Sequence, residues 1–125
     1  MIISIGCDIV EHELTRKLNW ENSASIQNRI FSVLELDIYA SDKKITFLTG
    51  RFAAKEAVLK CLGKGMEDGI DLTDIHILRS ELGTPIVTLT GNVQALSIAR
   101  GIKKWHVSIT HSNNTSSAFV IAEGN

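Results

Sequence analysis

The segment RFAAKEAVLKCL at residues 51–62 constrains the fold more than any other part of the chain. It runs for 12 residues without a glycine or proline, and Gly63 follows it in the position of a helix C-cap. On a helical wheel its apolar residues occupy most of the circumference. A helix that is apolar nearly all round is normally buried. The sequence therefore predicts a central helix that begins at Thr49 or Gly50 and is covered by the rest of the chain.

Strand patterns lie on both sides of this helix in the sequence. The predicted strands are residues 2–10, 72–79, 84–90, 105–111 and 117–123, and the other helical segments are an interrupted stretch at 11–40 and a shorter one at 91–101. Residues 112–115 join the last two strands as a hairpin. Because a run of strands follows the helices without strict alternation, the sequence predicts an α+β fold. A mainly antiparallel sheet packs against the long central helix, in a single domain over residues 1–125.

Positive charge is concentrated in one stretch of a chain whose formal net charge is −1. Residues 43–64 carry six lysines and arginines against one glutamate, a local balance of +5 that leaves −6 on the rest of the chain. This distribution favours a confined anion site over a broad nucleic-acid surface. A solvated helix face would give the same pattern and stays open as the alternative.

Composition and motifs exclude several classes of protein. The sequence is 44% hydrophobic and 22% charged, which is typical of a globular domain, and no apolar run approaches the roughly 20 residues that span a bilayer. Two cysteines are too few for a disulfide scaffold, and no signal peptide precedes the first strand, so we expect a cytoplasmic location. Zinc-type spacing, a phosphate-binding loop, a nucleophile elbow and a dinucleotide motif are all missing from the sequence.

Glu56 and Lys60 are the charged pair within the central helix, one turn apart on the same side. If the helix is buried, the Glu56 carboxylate emerges in or at the edge of the core, where it needs a cationic partner or a metal ion. The alternative is an exposed ion pair between residues four apart, which contributes only a few tenths of a kcal/mol.

Two polar residues interrupt predicted strands. Asp8 lies within the most hydrophobic strand, and Gly6 on the same face leaves room for a ligand to come close. An acid that protects the edge of a sheet from aggregation would look the same. His111 shares a strand face with Val107 and Ile109, where a histidine is more often a core residue than a catalyst.

Three blocks of sequence, in order and at matching spacing, resemble the holo-acyl-carrier-protein synthases, which are small phosphopantetheinyl transferases. The blocks are GCDIVE at 6–11, GRFAAKEAVLKCLGKG at 50–65 and HVSITHS at 106–112. The F-x-x-K-E-A-x-x-K core of the middle block is highly specific, and the likeness covers nearly the whole chain. It implies the 4′-phosphopantetheinyl transferase fold and, for chains of this length, a homotrimer with its sites at subunit interfaces.

The resemblance also implies a reaction and its residues. The reaction is the Mg²⁺-dependent transfer of 4′-phosphopantetheine from coenzyme A to a serine of apo-acyl carrier protein, with release of adenosine 3′,5′-bisphosphate. Asp8 and Glu56 are the implied Mg²⁺ ligands, and Lys60 is placed beside the pyrophosphate. On chemical grounds, Glu56 or a Mg²⁺-bound water that it orients is the first candidate for the catalytic base, with His111 as the second. The other residues assigned to the coenzyme pocket are Arg51, Lys55, Gly63, Lys64, Gly65 and, at its nucleotide end, His111 and Ser112.

One position departs from the family pattern. An arginine that engages the acidic carrier is expected on the first helix, and Leu14 stands in its place. Arg16, Lys17 and Arg29 are the cations that could replace it. This departure leaves open the alternative that the protein is a non-catalytic module that binds coenzyme A or a carrier. The retention of Asp8, Glu56 and Lys60 favours an enzyme. Neither a nucleic acid nor a membrane is expected as a partner.

Overall fold

The computed structural model describes the backbone of residues 1–125 and every side chain except that of Met66. The strands are β1 (Ile2–Glu11), β2 (Ile75–Arg79), β3 (Pro85–Leu89), β4 (Lys104–His111) and β5 (Thr115–Glu123). The helices are α1 (His12–Lys17), α2 (Ala24–Ile30), α3 (Val33–Tyr39), α4 (Ile45–Cys61) and α5 (Gly91–Ala99). The predicted α+β architecture is confirmed, since antiparallel sheets pack with the long helix α4.

Helix α4 is the predicted central helix, but it begins at Ile45 rather than at Thr49 or Gly50. Thr49 lies inside the helix, and its hydroxyl oxygen lies 3.0 Å from the Ile45 carbonyl oxygen. Gly50 brings the helix close to the sheet, because a Cβ atom there would lie 3.0 Å from the Cγ2 atom of Ile109. The glycine that suggested a helix start therefore serves a close approach to β4 instead.

Strands β1, β5 and β4 form an antiparallel sheet in that order, and β2 pairs with β3 in a second one. Helix α4 covers one face of the three-stranded sheet, where Ala118 and Val120 of β5 are buried. Gly6 of β1 faces the same helix, and a Cβ atom there would lie 2.2 Å from the Ala57 carbonyl oxygen. The space at Gly6 is thus filled by helix backbone, which corrects the prediction that it admits a ligand.

The opposite face of the three-stranded sheet carries large apolar side chains that are exposed in a single chain. Ile5 is 71% exposed, Ile9 is 64% exposed and Phe119 of the neighbouring strand is 57% exposed. A contiguous apolar patch of this kind on a folded chain is typical of a surface that another protein covers.

The remaining differences from the predicted elements are local. Strand β2 begins at Ile75 rather than at 72, because Leu72–Asp74 form a short 3₁₀ turn. The helical stretch predicted at 11–40 consists of α1, α2 and α3, and the Ser23 hydroxyl caps α2 by accepting from the Ile26 amide at 3.2 Å. The β4–β5 hairpin is confirmed. Within the described part of the chain, no helix combines the length and the apolar composition needed to cross a bilayer.

Candidate functional site

Asp8, Glu56 and Lys60 converge at the β1 edge of the sheet. Lys60 Nζ donates to Asp8 Oδ1 at 3.1 Å and to the Cys7 carbonyl oxygen at 2.9 Å. The Glu56 carboxylate is half-buried beside them, and its Oε1 atom is buried without a hydrogen-bond partner among the described residues. The strand acid and the helix acid thus lie close enough for their charges to interact, as the sequence predicted, and Lys60 pairs with Asp8.

The electrostatic surroundings of Glu56 favour a bound cation. Burial raises the pKa of the Glu56 carboxyl above its ordinary value, and the negative charge of Asp8 raises it further. The positive charge of Lys60 lowers this pKa. The negative charge of Glu67, a residue that no sequence pattern indicated, raises it as Asp8 does. An ionised carboxylate with an orphaned buried oxygen is costly unless a proton or a metal ion satisfies it.

The donor set at this place fits Mg²⁺ bound together with a phosphorylated substrate. Mg²⁺ usually takes one or two protein carboxylates, and its other oxygen ligands come from phosphate groups and water. Asp8 and Glu56 supply two carboxylates, and the described residues contain no group of three or more histidine, cysteine or acidic side chains suited to hold a metal alone. The orphaned Glu56 oxygen is the atom that such an ion would satisfy.

The loop predicted to bind the coenzyme begins where α4 ends. Gly63 has φ of 68°, in the left-handed region, and its amide donates to the Lys60 carbonyl oxygen at 3.1 Å. The Lys64 amide donates to the Leu59 carbonyl oxygen at 2.9 Å, which completes a glycine-dependent helix cap. Gly65 follows in the same loop. Gly63, Lys64 and Gly65 therefore lie just beyond the turn that carries Lys60.

A cationic cavity of about 260 Å³ lies at the opposite, β4 edge of the sheet. Arg51 lines it, together with His111 at the end of β4. Arg51 Nε donates to the Ile77 carbonyl oxygen at 3.4 Å, and its guanidinium carbon lies 4.2 Å from the centre of the Phe47 ring. Burial, followed by the positive charge of Arg79, lowers the pKa of Arg51. This excess of positive charge suits an anion such as a phosphate group.

Sequence reasoning missed part of this cavity. Its lining includes Lys44, Phe47, Arg79 and Pro85. Lys44 belongs to the basic stretch at 43–64, so the charge count held a signal for it, but Asp42 also lines the cavity and pairs with Lys44 at 3.5 Å. The excess of positive charge there therefore comes from Arg51 and Arg79. Arg79 had no such signal, because it reaches the cavity from β2, which lies far from α4 in the sequence.

Lys55 does not line the coenzyme pocket predicted for it. Its side chain is fully buried, and Nζ forms an ion pair with Glu35. The same ammonium donates to the carbonyl oxygens of Ile30 at 2.7 Å and of Leu72 at 3.0 Å. All of its hydrogens are thus used within the core, where it joins α2, α3 and α4, and none is left for a phosphate group.

Ser112 lies next to His111 but faces its own hairpin turn. Its hydroxyl oxygen accepts from the amides of Asn114 and Thr115, each at 3.3 Å, and it is not among the described residues that line the cavity. The structure therefore places His111 at the cavity and gives Ser112 a role in shaping the turn beside it.

The acidic cluster, formed by Asp8 and Glu56, and the cationic cavity lie on different sides of α4. Glu56 follows Arg51 by five residues, which corresponds to about 7.5 Å along the helix axis and about 140° around it. Asp8 belongs to β1 and His111 to β4, the two edge strands of the three-stranded sheet. One chain therefore presents the two groups of side chains at opposite edges of the same sheet.

Comparison with known proteins assigns the family. A family model described as the 4′-phosphopantetheinyl transferase superfamily matches residues 4–122. The curated holo-[acyl-carrier-protein] synthase of Hamiltonella defensa subsp. Acyrthosiphon pisum is 32% identical over 124 residues, which cover 98% of this chain and 98% of that protein. The crystal structure of the synthase from Neisseria meningitidis superposes with a TM-score of 0.89 at 31% identity, over 98% of this chain and 99% of that one. The structure of the Helicobacter pylori synthase in complex with coenzyme A gives a TM-score of 0.82 at 28% identity, over 95% and 99% of the two chains. The chain thus belongs to the 4′-phosphopantetheinyl transferase superfamily, among the holo-[acyl-carrier-protein] synthases, and is a transferase.

Proposed function

We propose that this enzyme transfers 4′-phosphopantetheine from coenzyme A to a serine of an apo-acyl carrier protein and releases adenosine 3′,5′-bisphosphate. The observation that carries the proposal is the convergence of Asp8, Glu56 and Lys60, with the orphaned Glu56 oxygen. The names of the relatives and the coenzyme A complex of the Helicobacter pylori synthase support the substrate and the carrier.

The side chains divide the work of the reaction between them. Arg51 and Arg79 attract the phosphate groups at the nucleotide end of the coenzyme, and His111 lines the same cavity. The carrier serine oxygen forms a bond to the phosphorus that bears the pantetheine, and the bond from that phosphorus to the bridging oxygen breaks. Lys60 stabilises the charge that develops on the leaving bisphosphate.

Glu56 is the base that we propose for the serine proton. Its Oε1 atom has no hydrogen-bond partner among the described residues, and the positive charge of Lys60, which we place beside the pyrophosphate, lowers the pKa of the carboxyl. His111 is the second candidate, but its place beside Arg51 supports contact with the nucleotide rather than with the serine. Asp8 and Glu56 would also hold Mg²⁺. The bound ion would neutralise part of the negative charge of the diphosphate.

We further propose a homotrimer in which neighbouring chains complete each site. The exposed apolar face around Ile5, Ile9 and Phe119 supports an assembly, since it lacks a cover in the single chain. The positions of Asp8 and His111 at opposite sheet edges support a site formed between two chains. One coenzyme would then contact the acidic cluster of one chain and the cationic cavity of its neighbour.

Replacement of Ile5 by lysine is expected to break the trimer. A charged side chain at the centre of a buried apolar interface carries an unpaired charge, which prevents association. Sedimentation should give three times the chain mass of 13.7 kDa for the wild type and the mass of a single chain for Ile5→Lys. Leu82→Lys is the matched control, because Leu82 is 91% exposed in the turn between β2 and β3. A monomeric wild type, or an Ile5→Lys variant that stays trimeric, would refute the proposed assembly.

The surface of α1 and α2 is the proposed docking site for the carrier. Leu14 on α1 and Leu18 just after the helix are exposed one turn apart. Arg16 is exposed between them in the sequence. Arg29 lines a cavity of about 530 Å³ next to Leu18. Arg16 and Arg29 are thus the cations best placed to meet an acidic carrier, whereas Lys17 pairs with a neighbouring glutamate. Leu14 makes this surface more apolar than the family pattern.

Three broader proposals accompany the function. Residues 1–125 form a single domain, which a hydrophobic core drawn from β1 through β5 supports. The location is the cytoplasm, which the two free cysteines support. The partners are coenzyme A and a carrier protein rather than a nucleic acid or a membrane. The net charge of −1 supports the exclusion of a nucleic acid.

Intact mass spectrometry tests the proposed function. The protein is incubated with coenzyme A, Mg²⁺ and a panel of apo-carriers, and each carrier is weighed. We expect at least one carrier to gain one phosphopantetheine, and the same carrier with its serine changed to alanine to gain none. If no carrier gains mass while the protein still binds coenzyme A, the alternative of a non-catalytic coenzyme-binding module is correct.

A further inference from the structure

His12 is buried at the first position of α1. Its side chain is only 1% exposed. Nδ1 lies 3.0 Å from the Asn113 carbonyl oxygen, and Nε2 lies 2.8 Å from the Ser116 hydroxyl. The backbone amide of His12 donates to the Asn114 carbonyl oxygen at 2.8 Å. One residue therefore contacts both the turn that joins β4 and β5 and the start of β5.

The contacts of His12 continue into α4. The Ser116 hydroxyl lies 2.7 Å from the Thr49 hydroxyl, whose oxygen also lies 3.0 Å from the Ile45 carbonyl oxygen. The imidazole thus belongs to a buried polar chain that links α1, the hairpin turn and the start of α4. Such chains fix the relative positions of the elements that they join.

The hairpin that His12 holds also carries a residue of the coenzyme site. His111 is the last residue of β4 and lines the cationic cavity with Arg51. Its direct cross-strand partner is Ser116, the residue bound by His12 Nε2. The turn that His12 Nδ1 contacts at Asn113 begins immediately after His111. The two contacts of the His12 ring thus fall on residues that neighbour His111 along the turn and across the strand pair.

We propose that His12 is a positioning residue that holds the β4–β5 hairpin, and with it His111, in place to bind the nucleotide end of coenzyme A. The role rests on the proposed function, because it assigns the cationic cavity to the coenzyme. His12 does not touch the coenzyme itself. It acts through the Asn113 carbonyl group and the Ser116 hydroxyl.

Hydrogen-bond chemistry provides a matched control for this role. The Asn113 carbonyl oxygen can only accept, so Nδ1 must carry a hydrogen to bind it, and in the neutral ring Nε2 then accepts from the Ser116 hydroxyl. Neither bond uses the Thr49 hydroxyl. Thr49→Val therefore removes a buried polar group from the same chain but keeps both contacts of His12 with the hairpin. His12→Ala removes them.

Calorimetric titration with coenzyme A separates positioning from a general contribution to stability. After correction for the folded fraction, His12→Ala is expected to weaken coenzyme A binding about tenfold, which is the scale of one or two lost hydrogen bonds. Thr49→Val is expected to weaken it less than about twofold. Thermal unfolding of each variant supplies the folded fraction. His12→Asn is expected to recover most of the affinity, because its amide nitrogen can donate to the Asn113 carbonyl from nearly the position of Nδ1.

The possible outcomes distinguish this role from the function on which it rests. A wild type that does not bind coenzyme A would overturn the proposed function and the role of His12 together. Wild-type affinity in His12→Ala would overturn the role of His12 alone. Equal losses of affinity in His12→Ala and Thr49→Val, or no recovery in His12→Asn, would also overturn it, because those results indicate general loosening of the core.

Discussion

Glu56→Gln is expected to abolish phosphopantetheine transfer and, in the absence of Mg²⁺, to make the folded protein more stable. The stability gain follows from the buried Oε1 atom, which has no partner among the described residues. The ionised carboxylate is desolvated there, whereas a neutral amide has a smaller desolvation cost. Loss of activity together with a gain in stability is the pattern expected of a residue kept for function rather than for folding.

The pH dependence of this gain has a defined sign. Burial raises the pKa of Glu56 in the folded protein above its value in the unfolded chain, for which 4.5 is the ordinary figure. A proton therefore binds the folded protein more readily, so the stability that comes with protonated Glu56 is present at acid pH and is lost as the pH rises through the folded pKa. We expect the advantage of Glu56→Gln to be absent below the unfolded pKa and to be present at neutral pH.

Activity and metal binding are expected to fall together in the same variant. Loss of one group that stabilises developing charge commonly lowers kcat by about 10²- to 10³-fold, and we expect a loss beyond this range because the proposed function assigns Glu56 both to the metal ion and to the serine proton. Mg²⁺ should raise the unfolding temperature of the wild type by mass action but leave that of Glu56→Gln unchanged.

Differential scanning calorimetry with and without Mg²⁺, together with the intact-mass assay, checks these expectations. Glu67→Gln is the matched control, since Glu67 is an exposed acid that acts on Glu56 only by its charge. We expect it to retain transfer activity and the response to Mg²⁺. Normal turnover by Glu56→Gln would show that the acidic cluster is not the site of the reaction.

The features that the sequence predicted correctly are those encoded by local periodicity. The apolar wheel of residues 51–62 identified the buried helix, and the same wheel placed Glu56 at the edge of the core beside Lys60. Asp8 stood out because a charge interrupts an apolar strand, although that pattern left an edge-protecting acid open and only the family resemblance implied a metal ligand. These signals depend only on spacing along one element, so they survive without knowledge of the neighbouring elements.

The features that the sequence missed depend on contacts between distant elements. In the sequence alone Gly50 resembles a helix boundary, and only the contact with β4 explains it. Arg79 belongs to β2, and no local pattern indicates that this strand lies beside α4. His12 attracted no hypothesis, because its partners lie about 100 residues away in the chain. In each case the missing information was tertiary, and no spacing rule contains it.

Lys55→Met is expected to destabilise the protein by about 3–5 kcal/mol, which is the usual cost of removing one partner from a buried ion pair. The substitution leaves the Glu35 carboxylate fully buried without its cation. It also leaves the carbonyl oxygens of Ile30 and Leu72 without their donor. The core position of Lys55 therefore predicts a large effect on stability and only an indirect one on coenzyme binding.

The double variant Glu35→Gln/Lys55→Met tests the cause of that loss. Removing the unpaired negative charge is expected to recover part of the stability, so the double variant should be more stable than Lys55→Met alone. Denaturant unfolding measures all three proteins, and Lys17→Met is the control, because its exposed pair with Glu13 contributes only about 0.5 kcal/mol or less. If Lys55→Met instead kept the stability of the wild type and lost affinity for coenzyme A, the lysine would belong to the coenzyme pocket after all, because a side chain that faces a phosphate changes binding without exposing a buried charge.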